Sequence, residues 1–115
     1  MAPAQCIAST TAAATRATVW SVLVDHGSWP AWFPTVREVA VTGPAAGVGA
    51  RRRVRLTGLQ IEEEFTEWDE ETSLAFTVVS SSTRLFHSIA ERVTLEPEGD
   101  ARTRITYVQS FDPAG

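Results

Sequence analysis

The spacing of hydrophobic and polar positions changes character as the chain proceeds. Gln5 to Thr10 is short and mixed, and it predicts a first strand. Ala12, Ala13, Ala14 and Ala17 then favour helix, and Val19, Trp20, Leu23 and Val24 recur at intervals that set them along one helical face. That face runs into VWSVLVDHGSWPAWFP, Val19 to Pro34, which holds three of the four tryptophans together with two prolines and a phenylalanine. Pro30 and Pro34 forbid a long continuation, so the stretch predicts the end of one amphipathic helix followed by a short aromatic helical turn. An aromatic clasp of this kind beside a sheet covers an apolar space.

From Val36 the period becomes two. VREVAVTG predicts a strand with Val39 and Val41 on one side, and the turn-rich GPAAGVG that follows has only a lone GxG between two strands, too little for a phosphate loop. If Gly58-Leu59 closes the next hairpin, Leu56 faces Ile61, Val54 faces Glu63 and Arg52 faces Phe65, while Arg55/Glu62 and Arg53/Glu64 pair on the other face. A turn at Asp69 to Thr72 sets Phe65 opposite Phe76 and Glu63 opposite Val78. The connection Ser81 to Arg84 places Val78 beside His87 and Phe76 beside Ile89. The last turn, Glu96 to Asp100, puts Ile89 across from Tyr107 and His87 across from Gln109. Each step keeps apolar residues facing apolar residues, which predicts a continuous antiparallel meander, because a one-residue slip would invert every face.

Composition narrows the function classes. A chain of 115 residues is expected to form one domain, residues 1–115, with a single core. Its 43% hydrophobic and 21% charged content is ordinary for a soluble globular domain, and no apolar run reaches the length of a membrane span. MAPAQCIAST has no basic n-region, so no signal peptide is expected and a cytoplasmic location follows by default. The single Cys6 has no internal disulfide partner and reads as a small strand residue. A net charge of −4 argues against a nucleic-acid binder. All ten cations are arginine, and the run RRRVR, Arg51 to Arg55, reads mostly as half of an Arg/Glu ladder with the glutamates downstream, Glu62, Glu63, Glu64 and Glu67, solvated and of little worth to stability.

The predicted inner face carries the candidate chemistry. One row reads Phe65, Phe76, Ile89, Tyr107, and its neighbour reads Glu63, Val78, His87, Gln109, with Arg52 and Glu91 also pointing inward. Burying a carboxylate or an arginine without a partner is costly, so such a face is either wet or furnished to hold something. Trp20 and Trp29 read as core, Trp32 and Phe33 as pocket rim, and Trp68 as packing at a strand end. His87 supplies a group titrating near neutral pH for general acid–base work, whereas His26, in the polar turn DHGS, reads as a helix-end residue. Two histidines so far apart, without a carboxylate at ligand spacing, predict no metal site. In a catalytic reading Arg52 or Tyr107 polarises a ligand carbonyl while His87 or Glu63 moves a proton. The structural alternative is an Arg52–Glu63 ion pair that neutralises itself.

The succession VWSVLVDHGSWPAWFP, GPAAGVGARRRV and EEEFTEWDEETSLAFTV resembles the polyketide cyclase/dehydrase group of the START-like, or Bet v 1-like, superfamily, over nearly the whole chain from Ile7 to Phe111. The resemblance implies an α+β helix-grip fold: a seven-stranded antiparallel sheet, two short helices closing its edge, a long C-terminal helix and a hydrophobic cavity between. SFDPAG stands where that long helix would begin, so the helix is expected to be missing, and a bare apolar face would then favour association into a homo-oligomer. The implied function is binding of a small hydrophobic or aromatic, polyketide-like or lipid-like ligand, with Trp32, Phe33, Phe65, Phe76, Val78, Ile89, Tyr107 and Gln109 as its contacts. Two alternatives stand beside it: a cofactor-independent cyclase, aromatase or dehydratase using His87, Glu63, Arg52 and Tyr107, and a protein-interaction domain completed by a partner's helix. None of these readings requires a cofactor or inserts the chain in a membrane.

Overall fold

A computed structural model describes residues 4–82 and 86–113, the side chains of 86–88 and 112–113 excepted. The chain runs β1 (Ala4–Ala12), α1 (Arg16–Leu23), a single 3₁₀ turn (His26–Ser28), α2 (Trp29–Trp32), then β2 (Val36–Val41), β3 (Arg51–Leu56), β4 (Leu59–Asp69), β5 (Ser73–Ser81), β6 (Phe86–Pro97) and β7 (Thr103–Pro113). The seven strands form one sheet in the order β1-β7-β6-β5-β4-β3-β2, with every neighbouring pair antiparallel. No described helix is long and apolar enough to cross a membrane. Among the described residues no long helix follows β7.

The first helix starts later than the alanine run suggests. Ala12 still pairs with Thr103 in the sheet, and α1 begins only after Thr15, whose hydroxyl accepts from the Thr18 amide at 3.3 Å. A side-chain acceptor for an otherwise orphaned N–H outweighs the weak helical preference of the alanines before it. Thr103 secures the approach by donating its hydroxyl to the Ala14 carbonyl at 2.8 Å. Val19, Trp20 and Leu23 of α1, with Trp29 of α2, pack onto a sheet face built from Val54, Phe65, Leu74, Phe76, Val93 and Leu95.

The meander is present, but three of its registers differ from the sequence expectation. The β3–β4 hairpin turns at Thr57-Gly58, with Gly58 at φ +73°, so Leu56 pairs with Leu59, Val54 with Ile61 and Arg52 with Glu63. Gly58 thus takes the second turn position, where a left-handed residue suits the twist of the strands. On the other face the pairs are Arg53/Glu62 and Arg51/Glu64. Further along, Phe76 pairs with Glu91 rather than Ile89, and Ile89 pairs with Phe111 rather than Tyr107. The β6–β7 turn spans residues 98–102, closed by the Glu98 amide on the Arg102 carbonyl at 3.0 Å. Every displacement is by an even number of residues, so each side chain keeps its face while its cross-strand partner changes. The β4–β5 expectation holds, with Phe65 opposite Phe76 and Glu63 opposite Val78. A bulge between Phe65 and Glu67 lets Trp68 pack against Phe65 and Trp20.

Candidate functional site

The inner face of the sheet and the aromatic segment of α2 enclose a cavity of about 340 Å³. Trp29 and Phe33 form its helical side. Val54, Ile61, Phe76, Val78 and Ile89 supply most of its apolar wall, and Arg52, Glu63, Glu91, Tyr107 and Gln109 bring polar atoms to it. The period-two alternation of β3 to β7 is what aims these side chains the same way.

Arg52 is the centre of the polar group. Its Nε donates to Glu63 Oε1 at 2.7 Å, and the two side chains are only 1% and 4% exposed. The guanidinium carbon lies 4.2 Å from the Trp29 ring centroid, 4.8 Å from that of Phe76 and 5.0 Å from that of Phe65. Aromatic faces stabilise a cation that has left water, so the sequence places its charge where rings as well as a carboxylate receive it.

His26 completes this group, and the sequence reading missed it. It is buried beneath the clasp, with its ring 5.6 Å from that of Phe65. Its Nε2 lies 2.8 Å from the Ala45 carbonyl, which can only accept, so Nε2 carries the proton and Nδ1 is left to accept from Arg52 Nη1 at 3.3 Å. Burial lowers the His26 pKa and Arg52 adds to the effect, against the opposing pull of the Ala45 bond and Asp25, which agrees with a neutral ring. Local sequence offers little to separate His26 from a solvated turn residue. Its burial depends on the loop between β2 and β3, which is pinned to β4 by the Gly49 amide on the Phe65 carbonyl at 2.8 Å. Gly49, at φ +92°, allows the backbone that bond requires.

The two inward carboxyls differ in their surroundings. Burial raises the Glu63 pKa, opposed by the charge and hydrogen bond of Arg52. Glu91 is pushed up to about 8, by burial first and by the Glu63 charge second, with Arg52 only partly offsetting them. Glu91 therefore stands as a protonated acid at neutral pH, able to donate a hydrogen bond into the cavity.

Of the residues singled out in the sequence, Arg52, Glu63 and Tyr107 line the cavity, as do Phe33, Phe76, Val78, Ile89 and Gln109. Phe65 is buried behind them against Phe76, at 5.3 Å between ring centroids. Trp32 is not among the lining residues. It is 40% exposed, packs its ring 4.4 Å from that of Trp29 and donates its indole N–H to Ser28 Oγ. The side chain of His87 lies outside the described residues, and the place across from Gln109 expected for His87 belongs to Glu91. Among the described residues no three His, Cys, Asp or Glu side chains gather as metal ligands would.

Solved structures share this fold. The Zhui aromatase/cyclase from a Streptomyces species superposes with a TM-score of 0.86 at 17% identity, over 99% of this chain and 70% of that one. A START superfamily protein from Mycobacterium smegmatis gives 0.83 at 14% identity, over 96% and 78%. At such identities the likeness is one of fold, the helix-grip arrangement of START and Bet v 1 proteins. In sequence, uncharacterised proteins of Mycobacterium bovis and Mycobacterium tuberculosis are 34% identical over 101 residues, 84% of this chain. The chain spans 59% of the length of these relatives. The family model for polyketide cyclases, dehydrases and lipid transport proteins matches residues 5–115, almost the whole sequence, and the chain belongs to that family.

Proposed function

We propose that the chain binds a small hydrophobic or aromatic molecule, polyketide-like or lipid-like, in the cavity between the sheet and its aromatic clasp. The observation that carries this reading is a cavity of about 340 Å³ with mostly apolar walls and a few convergent polar groups. That volume is at the small end of ligand sites, which run from roughly 300 to 1,000 Å³. Burying some 200 Å² of apolar ligand surface would contribute about 5 kcal/mol, and the polar row would fix orientation. The test is a titration with N-phenylnaphthylamine, an uncharged probe that brightens in apolar surroundings. Binding by the parent chain and its loss in Val78→Trp, which fills the cavity from β5, are expected. Undiminished binding by that variant, with its fold intact, would place the ligand elsewhere.

A cofactor-independent cyclisation or dehydration is the second reading, favoured by Glu91 and Tyr107 lining the same apolar cavity. An acid and a phenol there could protonate or polarise a ketone oxygen during an aldol closure. Conversion of a linear poly-β-ketone that is lost in both Glu91→Gln and Tyr107→Phe would support it. Conversion unchanged in both would exclude these two groups from the reaction.

A further inference from the structure

The cavity holds two inward carboxyls and one cation hydrogen-bonded to only one of them. Arg52 is committed to Glu63, to His26 and to three aromatic rings. Glu91 stands apart on β6, opposite Phe76 of β5 and Gln109 of β7. Its carboxyl lines the cavity and makes no side-chain hydrogen bond to another described residue. We infer that Glu91 selects the ligand: its carboxyl donates a hydrogen bond to an uncharged oxygen acceptor, such as a ketone or ester carbonyl on an apolar body, and carboxylate- or phosphate-headed lipids are refused. This inference rests on the ligand-binding reading above.

The charges around the cavity support the selection. Glu63 comes from β4, Arg52 from β3 and the phenol of Tyr107 from β7, while β5 and α2 contribute the uncharged Phe76, Val78 and Trp29. With Arg52 matched by Glu63, an anionic head group would give up its hydration and find no free counter-charge among the described residues that line the cavity. An uncharged carbonyl gives up far less, and the Glu91 O–H restores its hydrogen bond. Burial and the Glu63 charge keep that proton in place up to about pH 8. Above it, Glu91 becomes an acceptor facing an acceptor, and affinity for the carbonyl falls.

An isosteric pair of probes tests the selection on the full chain: acetylnaphthalene, an uncharged methyl ketone, and naphthoate, its anionic counterpart. Each is titrated by quenching of tryptophan fluorescence, at about pH 7 and about pH 9.5, either side of the Glu91 titration. The ketone is expected to bind at least about tenfold tighter than the anion at neutral pH, and to weaken several-fold at the higher pH. In Glu91→Gln the amide donates at both pH values, so the ketone's affinity should become independent of pH. Naphthoate binding as tightly as the ketone would overturn the selection, as would a wild-type pH profile in Glu91→Gln. Both results leave the cavity occupied, so they are distinguishable from failure of the parent chain to bind either probe, which would overturn the ligand-binding reading and this inference together.

Discussion

Arg52 and Glu63 sit directly opposite one another on β3 and β4 and meet at 2.7 Å with almost no exposure to solvent. One position away on each strand, Arg51 and Glu64 make the same chemical pair at 3.4 Å on the exposed face. The contrast separates the effect of burial from that of charge.

Removing one partner of the buried pair leaves the other charged or polar group stranded. Glu63→Ala is expected to lower unfolding free energy by about 3–5 kcal/mol, whereas Glu64→Ala should cost less than about 1 kcal/mol. Replacing both Arg52 and Glu63 with Met and Leu should recover much of the loss. Urea denaturation of the four chains checks all three statements, and equal losses for the two single glutamate variants would contradict them.

Glu91 gives stability a pH dependence of definite sign. Its proton leaves near the ordinary value of 4.5 in the unfolded chain and near about 8 in the folded one. Its favourable contribution is therefore complete below 4.5 and is lost as pH rises to about 8. Glu63, also raised, acts in the same direction. His26, lowered from 6.5, acts oppositely, since its contribution is lost as pH falls below that value. The difference between parent and Glu91→Gln isolates the first effect, and the variant should be relatively more stable at about pH 9 than at about pH 5. Parallel curves of denaturation midpoint against pH would refute this assignment.

His26 joins the aromatic clasp to the β2–β3 loop and to Arg52 in a single side chain. His26→Ala leaves the Ala45 carbonyl and one Arg52 N–H without partners, a loss of about 1–3 kcal/mol for each buried group left unsatisfied. Amide hydrogen exchange should quicken in residues 26–33 and 43–50 before it does in β5 to β7. Uniform quickening would mean that the histidine supports the whole fold rather than this junction.

The architecture was legible because alternation survives errors that pairing does not. Moving a two-residue turn by one position shifts partners by two, so Arg52, Glu63, Phe76, Glu91 and Tyr107 were read on the correct face although three pairings differed. Pairing depends on which residue turns, as at Gly58, and on loop lengths, neither of which hydrophobic period records. The cavity's apolar wall was legible for the same reason. His26 was not, since its burial comes from a loop joining two later strands. Trp32 shows the opposite case: an aromatic residue in the clasp whose ring lies outside on Trp29.

Three arginines in a row face three glutamates in a row across the β3–β4 hairpin. Electrostatically the two triplets form a coarsely marked ruler: sliding one strand past the other by a single residue would still match two of the three arginines with a glutamate. Attraction between them can therefore bring the strands together but says little about where to stop, since a slip gives up only one exposed pairing of three. Val54 against Ile61 and the tight turn at Thr57-Gly58 supply the missing mark, and they decide which of three chemically identical arginines becomes the one inside.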